Sequence, residues 1–376
     1  MNPLATPSQR LQLIDQARHQ VMLEGAQRSA DVAEWVTRSW QRCLQRGRRP
    51  DERVEFDLIE TQRQNALKEQ HQALRSAAQA EIQRLCRAIS GTHYFALLTD
   101  ASGVVVDVGG NPNHRDRRVH AIARIGVDLS ELSVGTSAIG AALGEQRSVW
   151  LHRGEHFFND TSVYSCAGAP IASPDGRSLG MLDLTGVMTV ERPELQHLVS
   201  LSARSIEETL LGLQPHRLAL RLNWPGHLQN SSADACILLD DEGHICARNS
   251  LATQLLRLPV GRVPLSDVFA APESQIYDLA LRPEPTELPL WSGLTVQCVA
   301  RAASPGHLGT APLAMAMAMH SAPLARDASV LKRVEDSMIA QAMKAAKGHV
   351  SEAAKALGIS RATLYRRLKH PPPPRR

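Results

Sequence analysis

Apolar residues recur at three- and four-residue steps through residues 8–46. They are Leu11, Leu13, Ile14, Val21 and Met22, then Val32, Trp35, Val36, Trp40 and Leu44. That period predicts amphipathic helices, ended by Gly47 and Pro50. Residues 57–89 continue as a long helical pattern with an apolar stripe of Leu58, Leu67, Leu74, Ala78, Ile82, Leu85 and Ile89. After Gly91 the pattern changes. Residues 94–100 read as a buried strand, Asp100-Ala101-Ser102-Gly103 as a turn, and residues 104–109 as the returning strand. Further on, residues 131–143 read as a loop leading into a helix and 148–151 as a strand. Residues 166–171 and 180–186 are two more strands, separated by the Pro174-Asp175-Gly176 turn. A helix over 193–211 would close this unit.

The second half opens on residues 213–234, read as a linker because of Pro215, Pro225, Asn230, Ser231 and Ser232. Residues 235–250 follow as strand, Asp-Glu-Gly turn, strand, Asn, helix, and Leu265, Val268 and Phe269 fit the next element. Residues 294–301 and 313–320 alternate, so they are expected to pair as a hairpin across 304–310. The Ala-Met repeat at 314–319 can equally be low-complexity linker. Over 329–346 the apolar positions Val330, Val334, Met338, Ala342 and Ala345 return to helical spacing. Ser351 then N-caps a short Ala-rich helix ending at Leu357. Gly358 supplies a turn where positive φ is needed, and Ser360 caps a second helix over 361–369. Ala354, Ile359, Leu364 and Leu368 fall where two steeply crossed helices touch. An exposed helix bearing Arg361, Arg366, Arg367 and Lys369, with Thr363 beside them, has the geometry of a helix-turn-helix recognition helix.

Charge supports that reading over a solvated helical hairpin. Residues 327–376 hold 11 Lys/Arg and 4 Asp/Glu, a net of +7, against +4 for all 376 residues, so residues 1–326 sum to −3. An excess of positive charge in one terminal segment is the footprint expected for phosphate binding. The length suggests two to four domains, and 43% hydrophobic residues suffice for packed cores. No run of about 18 apolar residues is present, so no membrane span is expected. The start lacks a basic stretch followed by an apolar one, so no secretory signal is expected. Cys43, Cys86, Cys166, Cys236, Cys246 and Cys298 are scattered without a CxxC pair. That fits reduced thiols in the cytoplasm rather than a disulfide framework or a zinc site.

The run Val350-Ser351-Glu352-Ala353-Ala354-Lys355-Ala356-Leu357-Gly358-Ile359-Ser360-Arg361-Ala362-Thr363-Leu364-Tyr365-Arg366-Arg367-Leu368 resembles the C-terminal domain of the Fis family, as found at the DNA-binding ends of bacterial enhancer-binding proteins. The resemblance implies that 329–346 is a dimerisation helix, and that Ser360, Arg361, Thr363, Arg366, Arg367 and Lys369 contact double-stranded DNA. Ser39-Trp40-Gln41-Arg42-Cys43 resembles the segment that precedes the sensor in acetoin catabolism regulators. Four pieces together look like the GAF domain of acetoin- and dihydroxyacetone-type regulators: Gly135-Thr136-Ser137-Ala138-Ile139-Gly140, Glu155-His156-Phe157, Cys166-Ala167-Gly168-Ala169-Pro170-Ile171 and Gly180-Met181-Leu182-Asp183-Leu184-Thr185-Gly186. A GAF domain implies a small-molecule pocket, with Thr136, His156, Phe157, Tyr164, Cys166 and Asp183 as candidate lining, most of which would otherwise be core or turn residues. Residues 235–250 resemble the opening of a PAS domain.

The expected fold is therefore α+β and multidomain: a helical N-terminal segment (1–50), a GAF sensor domain (51–212), a PAS-like domain with linker (213–325) and an all-α Fis-type helix-turn-helix (326–376). His152-Arg153-Gly154-Glu155-His156 matches the inverted zinc-protease motif H-x-x-E-H, but it follows a strand and contains Gly154. It is expected in a turn, where its histidines cannot share a helix face. Relatives of this type place a sigma-54 ATPase between sensor and helix-turn-helix, yet no G-x-x-x-x-G-K-[ST] phosphate loop occurs anywhere in the chain. The sequence thus reads as a cytoplasmic, homodimeric transcriptional regulator with a small-molecule effector and no ATPase of its own. No catalytic residue, metal or cofactor is expected, and RNA polymerase is a candidate partner. The alternatives are a nucleoid-associated architectural protein, or an enzyme working at His156, Cys166 or Asp183.

Overall fold

The computed structural model describes residues 6–56, 61–226, 234–282, 284–303 and 350. The expected dimerisation helix lies outside the described residues, as does the expected helix-turn-helix from Ser351 onward. The described part mixes helices with two antiparallel sheets, and none of its helices is long and apolar enough to cross a membrane.

Helix α1 (Pro7–Arg18) begins where Thr6 and Gln9 cap each other reciprocally and Pro7 occupies the first turn. It runs on through one π-helical turn, His19–Leu23, and α2 spans Glu34–Gln45. The long pattern after residue 57 is two helices, α3 (Thr61–Gln70) and α4 (Gln72–Ala88). The first sheet then follows: β1 (Tyr94–Asp100), β2 (Val105–Gly109), α5 (Arg117–Ile122), α6 (Glu131–Val134), α7 (Ala138–Glu145), β3 (Val149–His152), β4 (Tyr164–Ala172) and β5 (Ser178–Val187). Its order is β2-β1-β5-β4-β3. Helix α8 (Leu195–Gly212) returns across it.

Alternation sends each strand's residues to opposite faces, and both faces are covered. Ala96, Leu98, Ala167, Ala169, Leu182 and Leu184 pack against α4 and α8 through Ala78, Ile82, Val199 and Ile206. Phe95, Leu97, Tyr164, Cys166 and Met181 face the other way, into a core completed by α5–α7 and by Ile14, Val21, Trp35, Val36 and Trp40 of the N-terminal helices. Those helices thus share the hydrophobic core of the first sheet.

The second sheet comprises β6 (Leu218–Asn223), β7 (Ala235–Leu239), β8 (His244–Arg248), β9 (Val263–Pro264), β10 (Thr286–Pro289) and β11 (Thr295–Ala302), with α9 (Ser250–Leu256) between β8 and β9 and α10 (Glu273–Asp278) between β9 and β10. Its order is β10-β11-β6-β7-β8-β9. Two expectations need correcting. Residues 218–223, read as linker, form an inner strand: Leu218, Leu220 and Leu222 are buried while Ala219, Arg221 and Asn223 are half-buried. The hairpin expected between 294–301 and 313–320 is replaced by β10–β11. Both edges of β11 are taken, one by β10 and the other by β6, and 313–320 lies outside the described residues.

Gly180 shows how tightly the first sheet is drawn. It pairs with Asp100 on one side and Ile171 on the other, and an added Cβ would stand 2.1 Å from the Thr99 carbonyl oxygen. The obstacle is backbone, so a side-chain rotation cannot relieve it. Gly180→Ala is expected to destabilise the protein by about 3 kcal/mol, read as a lowered urea midpoint at unchanged slope.

Candidate functional site

The polar residues at the N-terminal helices form a clamp. Arg10 continues the buried stripe Ile14, Ala17 and Val21 one turn toward the start of α1, and is itself buried. Its guanidinium forms a buried ion pair with Glu155, stands 3.7 Å from Glu191 and donates to the Asp31 carbonyl at 2.8 Å. Arg18 donates to the carbonyls of Gly154 (2.9 Å), His156 (2.5 Å) and Phe157 (3.0 Å). Trp40, fully buried, donates its indole N–H to the Glu155 carbonyl at 2.9 Å. Ser39 lies 2.7 Å from both Glu131 and the Thr136 hydroxyl, and Arg42 grips Glu131 through two nitrogens at 2.8 and 2.6 Å. Burial alone would raise the Glu131 carboxyl's pKa, but the bonds from Arg42 and Ser39 outweigh it and hold it below the ordinary value. The Ser-Trp-Gln-Arg-Cys segment is therefore an anchor: its residues fasten α2 to the loop that carries Thr136 and to the turn that carries Glu155.

That turn contains the H-x-x-E-H run. Residues Arg153–Glu155 form one 3-10 turn after β3, and the three side chains go to different partners. His152 Nδ1 lies 2.9 Å from the Ser165 hydroxyl, Glu155 meets Arg10, and His156 Nδ1 lies 2.9 Å from the Arg153 carbonyl. Burial pulls the His152 pKa down to about 3, aided by Arg153 and Arg10, and that of His156 down to about 4. Both rings are neutral at physiological pH. Burial also raises Glu155 to about 7, against the opposing pull of Arg10.

The six candidate ligand residues fall into two groups, which meet where the His156 and Tyr164 rings stand edge-on with centroids 6.4 Å apart. Thr136, His156 and Phe157 lie under the N-terminal helices, with the Thr136 hydroxyl engaged by Ser39 and the Phe157 ring packed edge-on against Phe158 at 4.9 Å. Tyr164, Cys166 and Asp183 share the sheet face turned toward that core. The Tyr164 hydroxyl donates to the Arg118 carbonyl at 3.0 Å. Cys166 Sγ is 3.4 Å from the Thr185 hydroxyl, which donates to one oxygen of Asp183. The other Asp183 oxygen is buried without a hydrogen-bond partner. Burial raises the Asp183 carboxyl to about 7 and lifts the Cys166 thiol well above its usual range. Cys166 is thus a protonated, inert thiol.

Among the described residues, hollows accompany both sheets. One, of about 390 Å³, opens at the end of the first sheet and is lined by Phe95, Asn113, Val119, Val187 and Arg192 among others. Phe95 pairs in register with Thr185 and Val187 with Tyr164, so this hollow opens at the Tyr164 end of that face, while Tyr164, Cys166 and Asp183 themselves do not line it. A larger one, of about 790 Å³, lies in the second sheet unit beside Trp224, Leu251, Leu255 and Trp291.

Residues 11–208, more than half of the chain, match the family described as MimR, N-terminal domain. The chain belongs to that family. Residues 330–370 match the family described as bacterial regulatory protein, Fis family. The chain is similar to the acetoin catabolism regulatory protein of Cupriavidus necator, 27% identical over 253 residues, which cover 65% of this chain and 38% of the relative. It is also similar to the propane 2-monooxygenase operon transcriptional activator MimR of Mycolicibacterium smegmatis, 28% identical over 272 residues, covering 65% and 45%. The chain thus spans less than half the length of these curated relatives. A solved structure described as the E. coli DhaR(N)-DhaL complex aligns at 12% identity with a TM-score of 0.45, over 72% of this chain and 100% of that one.

The MimR N-terminal domain match begins inside α1, one residue after Arg10, and ends inside α8, so it takes in Arg18, Ser39, Trp40, Arg42 and Glu155 of the clamp and the Asp183 face. Arg10 is not among the sequence candidates, and Glu155 stands there only within its motifs, without its partner. The available signal was a charged residue in register with the apolar stripe of α1.

The clamp and the carboxyl give separate outcomes. Arg10→Met leaves Glu155 buried without its cation and is expected to cost about 3–5 kcal/mol; Arg10→Met with Glu155→Gln should recover most of it, as measured in a double-mutant cycle of urea unfolding. For Asp183, the folded pKa of about 7 lies above the unfolded value of about 3.9. Its contribution is fully present below the unfolded pKa and is lost as pH rises through the folded one. Relative to Asp183→Asn, the wild type should therefore lose stability between about pH 4 and 7, by up to roughly 4 kcal/mol. A flat difference across that range would refute the assignment.

Proposed function

We propose that this chain is a sequence-specific DNA-binding transcriptional regulator whose first sheet senses a small molecule. In this reading residues 51–212 are a GAF-type sensor, 1–50 its helical cover, 213–325 a PAS-like domain and 326–376 a Fis-type DNA-binding domain. The observation that carries it is the Fis-family match at 330–370, coinciding with the segment that holds the chain's excess positive charge. The names of the relatives, an acetoin catabolism regulator and an operon activator, point the same way. Ser360, Arg361, Thr363, Arg366, Arg367 and Lys369 contact DNA. Two chains pair so that their recognition helices meet successive major grooves of an inverted repeat, about 34–36 Å apart.

The ligand is received on the Tyr164–Cys166–Asp183 face. Asp183 supplies the polar group that a small-molecule pocket needs among apolar walls, and its unpaired oxygen is free to accept from a ligand's hydrogen-bond donor. Thr136, His156 and Phe157 report indirectly, through the clamp. The ligand can shift the DNA-binding equilibrium only by the difference of its affinities for two arrangements of the protein. With no phosphate loop in the sequence, the regulator acts by occupying its sites rather than by hydrolysing ATP.

A genome-wide binding map with the full chain tests this reading. A small set of sites sharing an inverted repeat is the expected result; diffuse coating without preferred sites would replace it with an architectural role. Arg361→Ala with Arg366→Ala is expected to weaken operator binding at least about tenfold and to reduce the slope of log K against log salt by about 2. Unaltered binding by the double variant would remove the recognition helix from the proposal.

A further inference from the structure

The two sheets meet at a joint made of buried hydrogen bonds rather than apolar surface alone. Glu207, on α8, is buried and divides its carboxylate between them. One oxygen accepts the backbone N–H of Ala172, at the end of β4, at 2.8 Å. The other accepts the backbone N–H and hydroxyl of Ser250, the first residue of α9, at 2.9 and 2.7 Å. Arg248, at the end of β8 and also buried, holds the tip of the β4–β5 hairpin. Its guanidinium donates to the Asp175 carbonyl at 2.9 Å, to the Gly261 carbonyl at 2.7 Å and to the Pro259 carbonyl. Its backbone N–H donates to the Pro174 carbonyl at 2.9 Å. Gly261 N–H donates to the Asp175 carbonyl at 3.0 Å, so the hairpin tip is held from both sides. Gly176 completes the fit: its φ is +86°, and a Cβ there would stand 2.6 Å from an Arg248 guanidinium nitrogen.

The position of this joint matters more than its strength. Strands β4 and β5 carry Cys166, Asp183 and Thr185 in the first sheet, and the same two strands end in the turn that Arg248 grips. A change in the tilt or spacing of the hairpin is delivered to β8 and to the start of α9 without passing through a linker. Two of the three hydrogen bonds to Glu207 come from fixed backbone N–H groups, one in each sheet unit, and they transmit displacement in a way that a slack apolar contact does not.

We propose that the Glu207–Arg248 joint is the coupling element that carries the state of the Asp183 face into the second sheet. This deepens the sensor reading above and rests on it for its biological meaning, but the coupling is a property of the described residues alone. The joint makes Glu207 and Arg248 positioning residues: they touch no ligand, and they set where α9 and β8 lie relative to the sensor strands.

The test is hydrogen–deuterium exchange on the full chain, with Asp183→Asn as the perturbation and the amides of residues 235–256 as the reporter, in the absence of DNA and of any effector. With the joint intact, Asp183→Asn should change exchange in 235–256 by about fivefold or more, the range of an ordinary coupling between sites. Glu207→Gln keeps an acceptor for only one of the two sheets, and Arg248→Lys keeps the charge but loses the fork. In either background the response of 235–256 should vanish, while the response of β4 and β5 persists. Gly176→Ala, which disturbs the joint from the hairpin side, should do the same and guards against a variant that fails to fold. No response with the joint intact, or an equal response with it cut, would overturn the proposal. The sensor reading stands or falls separately, by whether a small molecule changes operator binding.

Discussion

Every residue of β1 from Tyr94 to Asp100 is buried, and a strand buried along its whole length needs a cover on each face. Helices α4 and α8, which precede and follow the strands of the sheet in sequence, supply one cover. The other face has no long helix of its own and is covered by short helices, loops and the N-terminal α1 and α2. The rest of the first unit follows from this asymmetry. A core closed by short pieces needs its pieces fastened, and the fastening is polar: Arg10 to Glu155, Arg18 to three carbonyls, Arg42 to Glu131. The face most dependent on such fastening is also the face that carries Asp183.

The buried polar groups there divide by partner. Arg10 and Glu155 are both charged groups that would be costly alone, and they neutralise each other across 145 positions of sequence. Asp183 has only a threonine hydroxyl for one oxygen and nothing for the other. A buried polar atom without a partner is an expense that a purely structural core avoids. An Asn or Thr at position 183 would fill similar space without a carboxyl to desolvate. In the proposed function the unpaired oxygen is the one that meets the ligand.

Much of this architecture was legible in the sequence, for physical reasons that also explain the exceptions. The expected strand at 94–100 coincides with β1, because a continuous apolar run between Gly91 and an Asp-Ala-Ser-Gly turn permits little else. The β4–β5 hairpin and the closing helix were equally clear. Strand β6 was missed because Pro215 and Pro225 bracket it, although Leu218, Leu220 and Leu222 alternate with more polar neighbours as a one-face strand should. The hairpin expected around 304–310 failed differently: alternation shows that a segment is extended but not which strands lie beside it. The clamp was half visible. Ser39, Trp40 and Arg42 stood out as a group, but their partners Glu131 and Glu155 lie about 90 and 115 positions away, and no local pattern links them. The proposed DNA contacts lie outside the described residues, so for them sequence pattern and charge carry the case.

A sensor that acts through a distant DNA-binding segment needs rigid connections where the signal must pass and loose ones elsewhere. The two sheets illustrate the difference. Their covalent connection, residues 213–217 between α8 and β6, is a short stretch of backbone and could serve as a pivot. The hairpin tip and Glu207 remove that freedom by tying β4, α8, β8 and α9 at separate points. Leu211 adds an apolar contact against Cys236, Leu238 and Ala247 on the outer face of the second sheet. The two sheets are thus attached at several separate points as well as through the backbone. A ligand that moves β4 and β5 by even a fraction of an ångström then has to move the second sheet with them or break a buried hydrogen bond. Breaking one leaves a desolvated carboxylate or guanidinium unsatisfied, at a cost of about 1–3 kcal/mol or more, comparable with the whole coupling energy an effector normally commands. Moving together is the cheaper response, and that difference in cost is the physical basis of the proposed coupling.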